Sequence, residues 1–303
     1  MIQDSHDKVS APFGGHWLVL GAALLWGTTG TAQAFAPAGF NPLVIGTLRL
    51  LIGGFALLGL AVFQGKLSRH SRWKPIPTLL AAVFIAAYQL CFFAGVAKTG
   101  VAVGTVVGIG SSPIAGGLLG MIFRGEKPGR RWVVATLLAI AGCSLLGLSS
   151  GKVTVNLFGM FLTIGAGVFY AAFTLILKDL LAGNSSIAVT AVIFSVGALL
   201  LLPVLLNSDL NWLLQPGSIA VALHLGLVAT ALSYLLFSHG LKTVPVGSAV
   251  TLSLAEPMTA ATLGILVLGE QLNARAFFGI SLILAGLVVL ILKTKTAPRE
   301  IEV

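Results

Sequence analysis

The chain has 303 residues, 57% of them hydrophobic and only 9% charged, with a mean hydropathy of +1.01. A soluble domain carries about 25% charged residues, so this composition excludes one. The net charge is +9, yet the 18 Lys and Arg are spread over short connections between apolar runs and form no basic face alternating with aromatics. That argues against nucleic acid as a partner and for a membrane orientation signal.

Met1 to His16 is short and polar, with Lys8 as its only Lys or Arg. It lacks the cationic start, apolar run and cleavage site of a signal peptide, so residues 1–16 are expected to remain as a cytoplasmic segment. Ten apolar runs follow: Trp17–Ala36, Pro42–Phe63, Pro75–Ala97, Val101–Phe123, Trp132–Leu148, Val155–Leu177, Ile187–Leu206, Ser218–Leu241, Val246–Leu268 and Ala276–Leu292. Most approach the roughly 20 residues that span hydrocarbon. None alternates as a barrel strand does, so spanning helices are the form that satisfies the backbone in lipid. Residues 293–303 make a short basic tail. The expected fold class is all-α integral membrane, with ten transmembrane helices.

The chain also repeats itself. Lys98 to Leu148 slides onto Lys242 to Leu292 by 144 positions without a gap, matching Thr99 to Thr243, Pro113 to Pro257, Gly120 to Gly264, Gly125-Glu126 to Gly269-Glu270, and Arg131 to Arg275. Matched Pro, Gly, Glu and Arg landmarks indicate a duplication, with repeats at 17–148 and 155–292. Gly is abundant at 37 residues, as where helices approach closely in lipid; Gly100, Gly104, Gly108, Gly116 and Gly120 form one such ridge. Cys91 and Cys143 lie inside apolar runs and read as small packing residues.

Basic residues set the orientation. With the N-terminus inside, 14 fall on the cytoplasmic side: Lys8, Lys66, Arg69, Arg72, Lys74, Arg124, Lys127, Arg130, Arg131, Lys178, Lys242, Lys293, Lys295 and Arg299. Three fall outside, Lys98, Lys152 and Arg275, and Arg49 lies within the second run. Both termini are therefore expected in the cytoplasm. Five spans per half is an odd number, so the second repeat is inverted. Two inverted copies can form an inward-open state and its mirror image, which points to transport.

Glu256 lies mid-run, just before Pro257. An uncompensated charge there costs about 2.5–3.5 kcal/mol on insertion scales, so it should face a cavity, meet a partner or be protonated. The alternative is a helix-to-helix hydrogen bond. Pro113 and Pro257 can each kink their helices. Trp26, Thr29, Gly30 and Gln33 share one helix face, as do Thr163, Gly167, Tyr170 and Thr174, and Trp26 shifts onto Tyr170. Tyr88-Gln89 and Ser233-Tyr234 coincide within one residue. Each aromatic alone reads as packing; four at repeat-related places beside Gln, Ser or Thr favour a shared central pocket. Arg49 pairs with Glu256 or a substrate carboxylate, or else snorkels to the surface. His224 and His239 are too far apart in sequence for joint metal ligation, and no HExxH or phosphate loop occurs. Glu126, Glu270, Arg131 and Arg275 read as structural turn charges.

The Glu256-Pro257 pair, Gly264 and Leu268-Gly269-Glu270 resemble the second-repeat signature of the EamA family in the drug/metabolite transporter superfamily. Trp26-Gly27, Pro113 and Gly125-Glu126 fit the first-repeat pattern, and the resemblance runs from about Trp17 to Leu292. It implies ten helices in two inverted five-helix repeats and export or exchange of small metabolites, most like the bacterial inner-membrane amino acid exporters. It also implies cavity-lining roles for Trp26, Tyr88, Gln89, Tyr170 and Tyr234, with Ser111 and Ser112 before Pro113.

The expected function is a secondary transporter exporting small metabolites, amino acids foremost, by alternating access. Substrate-binding candidates are Trp26, Tyr88, Gln89, Ser111, Ser112, Tyr170, Tyr234 and Glu256, with Glu256 also a candidate for proton coupling. The expected partners are a small-molecule substrate and the lipid bilayer. Efflux of drugs or quaternary cations is the rival, which aromatics and a carboxylate also suit; a small-solute channel is a second. No nucleophile–base pair, metal cluster or cofactor motif is present, so an enzyme is not expected.

Overall fold

The computed structural model describes residues 13–37, 39–67, 73–99, 101–148, 156–269, 271 and 273–292. Lys8, Arg69, Arg72, Gly100, Lys152, Glu270, Lys293, Lys295 and Arg299 lie outside them. The described chain forms α1 (Phe13–Ala34), α2 (Pro42–Phe63), α3 (Pro75–Thr99), α4 (Val101–Arg124), α5 (Arg130–Leu148), α6 (Leu157–Leu180), α7 (Ser186–Leu206), α8 (Ser218–Leu241), α9 (Val246–Leu268) and α10 (Ala274–Ile291). Nine are long and apolar enough to cross a membrane by length and composition. The other, α1, has the length, at 22 residues. Its second half carries Thr28, Thr29, Thr31 and Gln33, and it packs against both α8 and α9.

Several helix starts have a side-chain cause. Asn41 Oδ1 accepts the Leu43 N–H at 2.9 Å, with Pro42 in the first helical position. Asn156 and Asn273 cap α6 and α10 in the same way, accepting the Gly159 and Ala276 N–H groups at 2.8 and 2.9 Å. The first helix begins before the apolar run does, at Phe13. Gly14, Gly15 and His16 join it, and Gly15 packs against Thr243 and the Gly240 carbonyl at the end of α8.

The 144-position shift carries α1–α5 onto α6–α10 with no end displaced by more than two residues. Packing follows the same rule: α3 lies on α6 as α8 lies on α1, and α4 lies on α6 as α9 lies on α1. Two pairings are their own equivalents, α2 with α7 and α5 with α10. The α5–α10 crossing is close because Gly142 faces the Gly279 carbonyl, where an added Cβ would stand 2.5 Å from the oxygen. Equivalently placed Gly286 faces the Ala135 carbonyl, at 2.7 Å.

The halves differ where prolines interrupt them. Helix α4 continues through Pro113. Its counterpart α9 breaks at Ser253 and Leu254, between Val246–Leu252 and Ala255–Leu268. Pro257 has no N–H to offer the Ser253 carbonyl four residues back, and that carbonyl takes the Glu256 N–H at 3.0 Å instead. Helix α8 is irregular too, with wide π-type turns over His224–Leu232. Such turns recur at functional sites.

Candidate functional site

The break in α9 faces a cavity through Ser253, and α8 reaches the same cavity at Tyr234, just past its π-type turns. Trp26 of α1, Tyr88 of α3, Ser112 of α4, Tyr170 of α6, Tyr234 of α8 and Glu256 of α9 all line it. Both halves contribute to its lining.

One wall is an aromatic cluster. Trp26 meets Tyr234 at a ring-centroid distance of 4.8 Å and Phe237 at 5.3 Å, and Tyr88 meets Tyr170 at 5.4 Å. Polar tips punctuate it: the Tyr170 hydroxyl lies 3.3 Å from Ser253 Oγ. Trp26 Nε1 and the nearby Thr29 Oγ1 are buried with no hydrogen-bond partner among the described residues. A buried unpaired donor carries a desolvation penalty, so the Trp26 N–H is suited to a ligand oxygen or a water.

The charges come from non-equivalent positions. Shifting Ser112 by 144 positions gives Glu256, so the carboxylate of one half is a hydroxyl in the other; Arg49 shifts onto Ile193. Arg49 lines the cavity rather than snorkelling. Its Nε donates to Thr230 Oγ1 at 3.0 Å and its Nη2 to the Ala229 carbonyl at 3.1 Å, both in the π-type turns of α8. The Glu256 carboxylate accepts no hydrogen bond from the described residues, and no ion pair joins it to Arg49. The cavity thus holds one cation and one carboxylate that do not neutralise each other by contact.

Two residues expected at the site point elsewhere. Gln89 is buried, and its Nε2 donates to the Gly46 carbonyl of α2 at 3.0 Å, a packing bond between helices. Ser111 Oγ donates back to the Gly108 carbonyl at 3.0 Å and lies against Gly167 of α6. Thr163 and Thr174 likewise bond to carbonyls of their own helix. Other lining residues share helix faces with these. Val250 and Ser253 precede Glu256 at three-residue steps, Phe92 follows Tyr88 by four, and Gly108 precedes Ser112 by four. Cys91 and Cys143 are free thiols.

The turn charges have specific partners. Arg131 Nη2 donates to the Val289 carbonyl at 2.9 Å and to that of Leu292, capping the end of α10. Glu126 Oε1 accepts the Val246 N–H at the start of α9, at 3.0 Å.

Comparison with known proteins agrees with this architecture. A solved crystal structure superposes with a TM-score of 0.79 over 91% of this chain and 95% of its own, at 18% identity, a likeness of fold. The uncharacterized transporter YwfM of Bacillus subtilis (strain 168) is 44% identical over 282 residues, covering 93% of this chain and 94% of that one. The threonine/homoserine exporter RhtA of Escherichia coli (strain K12) is 28% identical over 275 residues, covering 89% and 88%. The model of the EamA-like transporter family matches twice, at residues 13–148 and 157–292, the same 144-residue offset that relates the helices. This multi-pass membrane protein, with its two repeated five-helix halves, therefore belongs to the EamA-like transporter family.

Proposed function

We propose that the protein exports small zwitterionic metabolites, amino acids foremost, across the bacterial inner membrane by alternating access around this cavity. The observation that carries the reading is the pairing of unneutralised opposite charges, Arg49 and Glu256, on one aromatic-walled cavity. An α-amino acid presents a carboxylate and an ammonium group a few ångströms apart, and such a cavity offers each an opposite charge. The Tyr and Trp rings supply apolar surface for a side chain, and the Trp26 N–H supplies a further donor. The relative RhtA, named as a threonine/homoserine exporter, is consistent with this ligand class.

The mechanism follows from the repeat. Helices α1–α4 and α6–α9 rock about the central site, while α5 and α10, held together by Gly142 and Gly286, brace them. Both termini face the cytoplasm, following the distribution of Lys and Arg. Arg49 receives the substrate carboxylate, and Glu256 receives the ammonium group or carries a coupling proton. A second reading, efflux of cationic drugs, draws on the cluster of Trp26, Tyr88, Tyr170 and Tyr234 with Glu256, which suits cation–π binding.

A counterflow screen of the purified protein in liposomes decides between them. Saturable exchange of labelled neutral amino acids, competed by other zwitterions and not by quaternary amines, is the expected result. Exchange of cationic drugs alone would hand the function to the second reading. Ohmic conductance without counterflow would make the protein a channel.

A further inference from the structure

The bundle end at which α4, α6 and α8 finish and α9 begins carries a set of contacts that the cavity does not use. Arg124, last residue of α4, pairs with Asp179 of α6 and lies 3.7 Å from Glu126. Glu126 Oε1 accepts the Val246 N–H, which belongs to the first residue of α9. From the other flank, Lys178 Nζ donates to the Leu241 carbonyl at 2.7 Å and to the Val244 carbonyl. Residues 242–245 between α8 and α9 are thus held from two sides at once: the Glu126 carboxylate, just past α4, meets the start of α9, and the Lys178 ammonium group of α6 meets the end of α8 and the turn after it.

The signs match the helix ends they meet. A carboxylate at a helix N-terminus and a cation at a C-terminus each interact favourably with the helix dipole and with backbone groups that lack intrahelical partners. Both bonds are charge-assisted, the stronger class. The Arg124–Asp179 pair is more exposed and contributes less on its own; its effect is to hold Arg124 beside Glu126. The 144-position shift shows what the opposite end lacks. Arg124, Lys178 and Asp179 fall on Leu268, Ala34 and Phe35, none of which can make an ion pair.

We propose that Glu126 and Lys178 form a one-sided gate, which closes the mouth at this end by fastening the α8–α9 turn. Because the repeats are otherwise matched, this strap biases an exchange between mirror-image states toward the one closed here. Opening requires the Glu126–Val246 bond to break as the end of α4 leaves α9. The inference rests on the alternating-access reading, and on the basic-residue orientation that places this end in the cytoplasm.

The test is two-sided labelling of Ile109→Cys, a cavity position, in a Cys91→Ala, Cys143→Ala background. A membrane-impermeant maleimide is applied to spheroplasts and to inside-out vesicles. Glu126→Ala removes the acceptor. Val246→Pro removes the donor and leaves Glu126 in place, with an apolar side chain of similar size kept at this buried position: a first helical position tolerates proline, and Pro245 before it already has the extended backbone a following proline requires, φ −55° and ψ 149°. Either variant is expected to raise labelling from the cytoplasmic face about tenfold, the scale of losing one charge-assisted hydrogen bond, while labelling from the outer face falls. The double variant should add little to either single one. Unchanged cytoplasmic labelling, or a rise from both faces together, would overturn the gate. So would an equal shift in Arg275→Gln, which alters an exposed charge at the opposite end. If Ile109→Cys alone reacts equally from both faces, alternating access fails and takes the gate with it. If it reacts from one face and Glu126→Ala changes nothing, the gate alone fails.

Discussion

Trp26 and Tyr170 hold the same place in the two halves of the chain, and their rings meet edge to face, with centroids 6.3 Å apart and planes at 85°. Residues related by a pseudo-twofold can touch only close to its axis. The axis therefore passes through the aromatic wall of the cavity; under the alternating access proposed above, a rocking motion would keep the two rings near each other in both states.

Trp26 joins packing to recognition, and two substitutions separate these roles. Trp26→Ala empties a site bounded by Tyr170, Tyr234 and Phe237, and should lower stability by about 3–5 kcal/mol. Trp26→Phe keeps an aromatic ring and loses the N–H that has no partner among the described residues. It should unfold near the parent temperature yet raise the counterflow KM roughly tenfold, the scale of one lost hydrogen bond to a charged ligand group. Thermal unfolding in detergent and counterflow kinetics, measured side by side, check both statements.

Arg49 bridges α2 to the π-type turns of α8 that lead into Tyr234. Arg49→Lys keeps the charge but cannot reproduce two donors in one plane. Transport should drop by at least about tenfold with the fold intact. Thr230→Val, which removes one of the two acceptors and leaves the charge, should give a smaller loss. Equal activity of Arg49→Met and the parent would remove the arginine from substrate binding.

Glu256 is the carboxylate that the first half replaces with Ser112. If it carries a coupling proton, Glu256→Gln should abolish the dependence of amino acid export on external pH while counterflow exchange persists. If it receives the substrate ammonium group, both exchange and export should fall at every pH. Export of labelled amino acids at two external pH values, with counterflow in parallel, separates the cases. A variant with unaltered transport and pH response has no use for this carboxylate.

The α5–α10 brace admits no side chain at Gly142, where a Cβ would stand 2.5 Å from the Gly279 carbonyl oxygen and 2.7 Å from Ile283. Gly142→Val should destabilise the protein by about 1–3 kcal/mol through overpacking. Gly14, where an added Cβ meets nothing within 4 Å, is the control, and Gly14→Ala should unfold like the parent.

The spans, their number and the duplication were legible in the sequence because each depends on local pattern. Apolar runs near 20 residues have one stable form in lipid, and matched Pro, Gly, Glu and Arg landmarks survive in a linear string. The shift that takes Lys98 to Lys242 also takes α1 to α6 and one family match to the other. Of the six named residues that line one cavity, the four aromatics Trp26, Tyr88, Tyr170 and Tyr234 were read from the same symmetry, while Glu256 stood out as a carboxylate at membrane depth and Ser112 through the family resemblance.

Direction was decided by the tertiary structure alone. Gln89 stands next to Tyr88 in sequence, yet a helix turns successive side chains about 100° apart, so Tyr88 meets the cavity while Gln89 meets the Gly46 carbonyl. Arg49 points inward because its hydrogen-bond acceptors, Thr230 and Ala229, lie about 180 positions along the chain on the irregular part of α8. Glu126, outwardly a turn charge, finds its partner N–H 120 positions away at Val246. Periodicity records which residues share a face of one helix; which neighbour that face meets is set by packing between repeats, a long-range choice that leaves no local trace.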